Sequence, residues 1–383
     1  MRNLARLLSL ALLVVLVGCS PKSSPRSPAA NDRSLDSPGK DSRVKLGSGW
    51  TRLPAPPEAR SGAATAWTGS KLLVWGGYVY TGSSDKSPKN AGYVFDARSG
   101  SWASLPSSPL AARSSPAVAW TGSELLVWGG FDGTWSHGKP GTYRDGAAYD
   151  PKSDQWRMLP RAPLSPRVPL SVWTERELIV WGTGFQVKNQ RPRDGAAYDP
   201  RSDSWRRIAS APIELTDATA VWTGREMIVF GAALRRGRIP ETDSAIGAAY
   251  DPRKDSWRII PDSGLSPGAD AAAWDGREMV AWDAQHGSAA YDPRRDRWRP
   301  LQDVPLGESE CVPESIGVNG HIFGNYCGFL VLFDRGDDRW HEVTRRKLAA
   351  SVLEPISAGQ AFLILVNDYE HERKSMLAFR PSD

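Results

Sequence analysis

An aspartate followed six residues later by a tryptophan recurs along most of this chain, and a repeat at this spacing indicates an array of similar units. The six copies run Asp96 to Trp102, Asp150 to Trp156, Asp199 to Trp205, Asp251 to Trp257, Asp292 to Trp298 and Asp334 to Trp340. Four of them begin with Gly-Ala-Ala-Tyr-Asp-Pro or a close variant. Aspartate followed by proline suits a type I turn, because the aspartate bonds the backbone and proline presets φ. Each copy therefore predicts a hairpin of two short strands.

A second motif precedes the first in each unit: a strand that ends in tryptophan, a tight turn, and an aliphatic strand that ends in Trp-Gly-Gly or a relative. The instances run from Trp67 to Gly77, from Trp120 to Gly130, from Trp173 to Gly182, from Trp222 to Gly231 and from Trp274 to Trp282. The turn Asp275-Gly276 is a strong two-residue hairpin signal. Each unit of about 48 residues therefore holds four strands, which we label a to d in chain order.

Four-stranded units with paired glycines and a tryptophan at fixed positions resemble the kelch repeat, and the resemblance covers residues 49–383. It implies an all-β fold, a β-propeller of four-stranded blades. Six d strands are complete, and a seventh unit after Trp340 ends before its own d strand. Trp50 to Pro54 reads like the d strand that begins at Trp102 and has no partner strands before it. We predict a seven-bladed kelch-type propeller whose N-terminal strand completes blade 7, with six blades as the alternative.

The N-terminal segment has the pattern of an export signal. Arg2 and Arg6 precede an apolar run from Leu7 to Val17, which is shorter than the roughly 20 residues of a membrane-spanning helix. The run ends in Leu-Val-Gly-Cys at Cys19, which resembles the lipobox of bacterial lipoproteins. The resemblance implies cleavage of a signal peptide (residues 1–18), lipidation of Cys19, and localisation on a bacterial membrane outside the cytoplasm, in the periplasm, on the outer membrane or at the cell surface.

Residues 19–48 are predicted to be a disordered tether, because Ser, Pro and charged residues dominate and few apolar side chains are available for burial. Residues 1–48 hold eight of the 48 basic and three of the 43 acidic residues, so the propeller carries 40 of each. This neutrality argues against nucleic-acid binding. Once Cys19 is lipidated only Cys311 and Cys327 remain, and in an exported protein such a pair predicts a disulfide rather than a metal site.

Sixteen of the seventeen tryptophans occupy repeated positions on strands a, b or d. A residue needed once per blade is expected to pack one blade against the next, where a buried indole hides roughly 150–250 Å². We therefore interpret these sixteen, Trp50 among them, as structural. Trp135 is the exception, since it lies between strands b and c of blade 2.

The connections between strands b and c point to a binding site, because they vary in length while the a–b and c–d turns are short and uniform. They are about 12 to 15 residues long in blades 1 to 4 and shorter in blades 5 to 7. Variable loops on a rigid scaffold are where function concentrates. The candidate residues on them are Tyr78, Tyr80, Phe131, Trp135, His137, Tyr143, Phe185, Asn189 and Gln190. Aromatic and amide side chains suit a glycan or a protein partner, although they also pack on each other to order long loops.

Three arginines recur just before strand a in blades 1 to 3, namely Arg60, Arg113 and Arg167. Blades 4 to 6 carry acids at similar places, namely Asp217, Asp270 and Glu314. Such a rim would orient a carboxylate-bearing ligand, since arginine binds carboxylates bidentately. The alternative is a network of ion pairs around the channel mouth.

The pattern favours a monomeric, membrane-anchored binding or scaffolding module over an enzyme, with no cofactor and no metal. The five histidines fall in different blades and strands without metal-ligand spacing. Galactose oxidase has kelch repeats, but its copper ligands and cysteine-linked tyrosine have no counterpart in this chain. The enzyme alternative is an isomerase resembling the kelch-type sialic acid epimerases, which use Arg, Glu and His on the channel face and no metal.

Overall fold

The computed structural model describes residues 49–79, 87–136, 139–182, 193–233, 245–266, 271–283, 287–305, 314–318, 320–326, 328–344, 352–368 and 373–381. All regular structure in these ranges is β-strand, as predicted. The strands are β1 Gly49–Leu53, β2 Ser61–Trp67, β3 Lys71–Tyr78, β4 Gly92–Asp96, β5 Ser101–Ser104, β6 Ala117–Trp120, β7 Leu125–Trp128, β8 Phe131–Ser136, β9 Lys139–Thr142, β10 Gly146–Asp150, β11 Gln155–Met158, β12 Leu170–Trp173, β13 Leu178–Trp181, β14 Gly195–Asp199, β15 Ser204–Ile208, β16 Leu215–Trp222, β17 Met227–Ala233, β18 Ile246–Asp251, β19 Ser256–Ile259, β20 Ala271–Trp274, β21 Met279–Trp282, β22 Ser288–Asp292, β23 Arg297–Pro300, β24 Glu314–Val318, β25 His321–Tyr326, β26 Phe329–Asp334, β27 Arg339–Glu342, β28 Val352–Ala358, β29 Ala361–Asp368 and β30 Arg373–Arg380.

These strands form seven antiparallel four-stranded blades. Blades 1 to 6 are β2-β3-β4-β5, β6-β7-β10-β11, β12-β13-β14-β15, β16-β17-β18-β19, β20-β21-β22-β23 and β24-β25-β26-β27. Blade 7 is β28-β29-β30-β1, and the first strand of each blade contacts that of the next around a full circle, β28 against β2. β1 pairs with β30 from Gly49↔Arg380 to Leu53↔Met376. The seven-bladed propeller closed by the N-terminal strand is confirmed, and the six-bladed alternative is wrong.

The strand directions give the ring two different faces. Because neighbouring strands are antiparallel, the a–b and c–d turns all lie at one end of the blades, which we call the turn face. The b–c and d–a connections lie at the other end, the loop face. β1 is a d strand, so it begins at the turn face with Gly49 and ends towards the loop face with Leu53.

Strand b is the most hydrophobic strand of every blade except blade 6, because it is buried against the sheets on both sides. The segments Leu72–Trp75, Leu125–Trp128, Leu178–Trp181 and Met279–Trp282 are all buried. Strand c offers alanines such as Ala147 and Ala196, whose small side chains let adjacent blades approach. The core therefore consists of apolar clusters that extend across pairs of neighbouring blades.

Tryptophans of strands b and d meet across the blade junctions, which confirms their structural interpretation. Trp75 of blade 1 and Trp156 of blade 2 have ring centroids 5.6 Å apart. The equivalent pairs, at 5.1–5.7 Å, are Trp128–Trp205, Trp181–Trp257, Phe230–Trp298 and Trp282–Trp340. Trp50 departs from the expectation, since its side chain is 40% exposed. The matching b-strand position of blade 6 is Asn325, so Trp50 has no b-strand indole to pack against and contacts Phe379 of its own blade instead.

The turn face holds a polar cluster that joins neighbouring blades and that we did not predict. Arg157, the residue after the d-strand tryptophan of blade 2, donates to Glu124 of its own blade at 2.8 Å. It also donates to the Tyr198 hydroxyl at 3.2 Å and to Asp203 at 2.9 Å, both in blade 3. We call this group of four residues a clamp. Its sequence signal is a glutamate just before strand b together with an arginine just after the d-strand tryptophan.

Candidate functional site

The b–c connection of blade 2 contains a two-stranded hairpin, β8–β9, that stands outside the repeat. Phe131, its first residue, is fixed by two backbone bonds to Ser114, with N–O distances of 2.8 and 2.9 Å. At the far end of the connection, the Tyr143 amide donates to the Gly130 carbonyl at 3.0 Å. Trp135 lies opposite Pro140, with its ring 6.1 Å from that of Phe131 in an edge contact. Its side chain is 46% exposed, so an indole held on an anchored hairpin faces solvent.

Arg113 lies beneath the base of this hairpin and is completely buried. Its guanidinium donates to the Gly129 carbonyl at 3.1 Å and to the Asp145 carboxylate at 2.9 Å. It also lies 4.1 Å from the centre of the Tyr143 ring, a cation–π contact. Burial, followed by the nearby Asp132 carboxylate, raises the pKa of Tyr143, while Arg113 opposes the rise. The side chain that we considered for the channel mouth therefore supports the hairpin from below.

Arg60 and Arg167 occupy the same position in blades 1 and 3 and are also buried. Arg60 donates to the Ala91 carbonyl at 2.6 Å and to Glu58 at 2.7 Å. Arg167 donates to the Asp194 carboxylate at 2.8 Å. The three guanidinium groups are thus engaged by their own blades, which is the ion-pair alternative. To bind a ligand, each guanidinium would first have to leave these partners. A ligand-binding role for the three arginines stays a prediction.

Sequence reasoning missed the acids that hold two of these arginines. Asp145 and Asp194 stand at the second position of the same heptapeptide, Arg-Asp-Gly-Ala-Ala-Tyr-Asp, which occurs in blades 2 and 3. Blade 1 has Ala91 at that position, and Glu58 supplies the carboxylate there instead. The repeated aspartate was the sequence signal for these ion pairs. It recurs one residue before strand c, and in the structure it meets the arginine that recurs before strand a.

The other predicted site residues are only partly covered by the structure. Tyr78 ends β3 half-buried, and its backbone forms a bridge with Pro88. Asp217 has a left-handed backbone (φ 48°), and its carboxylate accepts a bond from the Thr216 hydroxyl at 3.2 Å. Glu314 begins β24, but its side chain is not described. The predictions that lie outside the described residues concern Tyr80, His137, Phe185, Asn189, Gln190, Asp270, Cys19 and the Cys311–Cys327 disulfide.

The described ranges contain neither a metal-binding cluster nor a membrane-spanning helix. No group of three or more His, Cys, Asp or Glu side chains is placed there to hold a metal ion. Nor does that part of the chain contain a helix with the length and hydrophobicity needed to cross a bilayer.

Comparisons with known proteins agree with the blade geometry. Residues 48–232 match the family model described as the KLHDC2/KLHL20/DRC7 Kelch-repeats domain. The seven-bladed propeller therefore contains a kelch-repeat domain. A solved structure titled "Structure of YjhT" is similar to this propeller with a TM-score of 0.53 and 16% identity, over 76% of this chain and 99% of that one. At this identity the likeness shows the fold alone. A search of curated protein sequences found no match.

Proposed function

We propose that this kelch propeller is a membrane-anchored binding module that receives a glycan or protein ligand on the loop face of blades 1 to 4. Trp135 carries the proposal, since it is the tryptophan outside the repeat and stands exposed on that face. Tryptophan is enriched among the residues that dominate binding energies, because it offers a large rigid surface with little entropy to lose. An indole exposed in this way has no blade junction to hold together.

The support beneath Trp135 is what a preformed binding surface requires. Phe131 is bonded to Ser114 on one side of the hairpin, and Tyr143 lies on the buried Arg113 guanidinium on the other. A surface held in its binding conformation loses less entropy on association than a flexible loop does. The hairpin is therefore suited to present Trp135 rather than to bury it.

The attachment of the N-terminal segment is compatible with a membrane anchor at Cys19. β1 begins with Gly49 on the turn face, so the preceding residues join the propeller at the face opposite Trp135. A lipid at Cys19 would then leave the loop face accessible, on a membrane surface outside the cytoplasm. Expression of the full chain in a bacterium, with mass spectrometry of the purified product, tests this part. We expect a diacylglyceryl group on Cys19 and loss of membrane association in Cys19→Ala, whereas an unmodified Cys19 would contradict the anchor.

The ligand site is tested by binding with matched variants of exposed side chains. The probes are a glycan array and an envelope extract, each presented to the wild type, to Trp135→Ala and to Ile259→Ala. Ile259 is 60% exposed on a d strand of blade 4 and serves as the control. We expect Trp135→Ala to weaken binding of the retained ligand by about 2 kcal/mol or more, roughly 30-fold in Kd, with Ile259→Ala unchanged. A ligand lost equally from both variants would contradict the assignment.

A further inference from the structure

Clamps like that of Arg157 recur at four successive junctions of the ring, from blades 2–3 to blades 5–6. At the junctions 3–4 and 4–5 they consist of Arg206, Glu177, Tyr250 and Asp255, and of Arg258, Glu226, Tyr291 and Asp296. At the junction 5–6, Arg299 donates to Glu278 at 2.8 Å and to Asp338 of the next blade. Each clamp arginine is about one-third exposed and holds groups from two blades. Blades 2 to 6 therefore form one continuously clamped arc.

The junction between blades 7 and 1 has different residues at all four clamp positions. Thr51 stands where the arginine would be, and Ala361 where the glutamate would be. On the blade 1 side, Phe95 replaces the tyrosine, so there is no hydroxyl, and Gly100 replaces the aspartate. Gly100 keeps the left-handed backbone of the aspartates it replaces, with φ of 67° against 48–61°. The turn geometry is thus retained while every polar group of the clamp is gone.

The aromatic contact between strands b and d is missing at the same junction. Leu365 takes the b-strand position of Trp75, facing the Trp102 of blade 1. The two neighbouring junctions also lack a full clamp, yet each has an aromatic contact. Trp75 packs on Trp156 between blades 1 and 2, and Phe323 lies 5.0 Å from Phe362 between blades 6 and 7. The junction between blades 7 and 1 keeps an apolar cluster and the hydrogen bond from the Trp102 indole to the Pro54 carbonyl, at 3.0 Å, which has equivalents at other junctions.

Chain connectivity makes this junction different in a second way. Strands a to d of blades 1 to 6 follow one another in the chain, whereas strand d of blade 7, β1, is not continuous with strand c, β30. Blade 1 is joined to the rest of blade 7 only through β1, whose five residues are held on β30 by backbone pairing. The chain before Gly49 is continuous with β1, so tension on the N-terminal segment acts on this strand first.

We propose that the propeller ring opens reversibly between blades 7 and 1, with β1 acting as a latch that separates from β30 while blades 2 to 6 remain closed. Sub-global opening of this kind follows the least stabilised boundary in a structure. The clamped arc and its tryptophan pairs raise the free energy of opening elsewhere in the ring. The junction 7–1 lacks both, and its strand pairing is short. A force on the N-terminal segment would also act on the latch first.

Hydrogen exchange of the full chain, followed by mass spectrometry, tests the latch directly. In the wild type we expect the paired amides of β1 and β30 to exchange at least tenfold faster than those of β15 and β14, the matching d and c strands of blade 3 in the clamped arc. Exchange of β1 and β30 as slow as that of β15 and β14 would overturn the proposal. This comparison needs no variant.

Adding the missing clamp gives the second measurement. The variant Thr51→Arg/Phe95→Tyr/Gly100→Asp/Ala361→Glu should slow exchange of β1 and β30 at least threefold. The matched control is Lys71→Glu/Ala103→Arg, which supplies the two missing clamp residues at the junction 1–2, where Tyr149 and Asp154 are already bonded. The control should leave β1 and β30 unchanged. Equal slowing in both variants would mean that general stability, not the junction 7–1, sets the exchange, and would overturn the latch.

Discussion

At the residue scale, the paired glycines are explained by the backbone of the neighbouring blade. A Cβ on Gly76 would lie 2.8 Å from the carbonyl oxygen of Arg113, and the φ of Gly76 is +71°. The same carbonyl accepts a hydrogen bond from the Gly77 amide at 2.9 Å. Arg113 therefore acts twice, since its side chain holds its own blade and its backbone holds the blade before. The glycines are the residues that admit this approach.

Gly76→Ala should destabilise the propeller by more than 2 kcal/mol, because the methyl group collides with a backbone oxygen and the left-handed conformation is itself unfavourable. Gly122→Ala is the matched control, since Gly122 has φ +97° with no atom within 4 Å of the added Cβ. The control isolates the conformational cost of about 1–2 kcal/mol. Urea unfolding measures both variants. Equal losses would mean that the contact with Arg113 adds nothing.

Sequence reasoning located Arg60, Arg113 and Arg167 correctly in the chain but did not determine what they touch. Half of their hydrogen bonds go to carbonyl oxygens, such as those of Gly76, Gly129 and Ala91. A carbonyl is present at every residue, so nothing in a sequence marks the one that faces a given guanidinium. Of the carboxylate partners, Asp145 and Asp194 were detectable through the repeated heptapeptide, whereas Glu58 lies outside it.

At the scale of elements, the c–d turns combine a left-handed aspartate with a buried tyrosine. The Tyr198 hydroxyl donates to Asp203 at 2.6 Å, and Tyr250 donates to Asp255 at the same distance. Burial first, and then the hydrogen bond to Asp203, raises the pKa of Tyr198 to about 12. The pKa values of Tyr149, Tyr250 and Tyr291 are raised for the same two reasons. These turns therefore bind the phenolic proton more tightly than the unfolded chain does.

The propeller should lose stability steeply above pH 10. A tyrosine whose pKa is raised in the folded state contributes its stability in full below the unfolded pKa of about 10, and the contribution is lost as pH rises towards the folded pKa. The slope is up to about 1.4 kcal/mol per pH unit for each such tyrosine. Urea unfolding at pH 9, 10 and 11 measures it. Tyr198→Phe should be less stable at pH 9 but show a shallower decline, and parallel pH profiles would contradict the tyrosine account.

Almost all of the strands could be predicted from the sequence, and the exception is the hairpin β8–β9. The repeated strands alternate or run apolar between turn residues, which is a strong signal. The sequence predicts a loop between strands b and c of blade 2, whereas the structure places β8 and β9 there. Asp132, Gly133, Pro140 and Gly141 are depleted from strands, and the β8–β9 register shifts between Phe131 and Trp135. The hairpin depends on its two anchor points, Ser114 and Arg113, which local sequence does not reveal.

At the scale of the whole molecule, the blade number and the closure followed from where the repeats begin and end. The seventh unit lacks a d strand and the chain has a spare one before blade 1, and only a closed ring uses both. The unequal strength of the junctions did not follow, because it depends on combinations of residues from different blades. Two examples are Asn325, at the b-strand position next to Trp50, and Leu365, at the b-strand position that Trp75 has in blade 1. Within its own strand, neither residue indicates a weak junction.

Removal of residues 49–53 should destabilise the ring far more than Trp50→Ala does. The deletion removes the five residues that pair with β30. It leaves β30 as an unpaired edge strand, which can pair with another chain. Trp50→Ala removes a side chain that is 40% exposed, so we expect a loss of about 2 kcal/mol rather than the 3–5 kcal/mol of a buried indole. Thermal unfolding and light scattering after size exclusion measure stability and association.

The control for this deletion is the removal of residues 20–48, which keeps β1 in place and should leave both readouts unchanged. If that control loses as much stability as the removal of residues 49–53, the contribution lies in the segment before the propeller and not in the pairing of β1 with β30. If Trp50→Ala alone matches the full deletion, the indole rather than the backbone pairing closes the ring. We expect Trp50→Ala to lose less stability than the removal of residues 49–53, and only that deletion to cause association. This result would show that β1 is held mainly by its backbone hydrogen bonds.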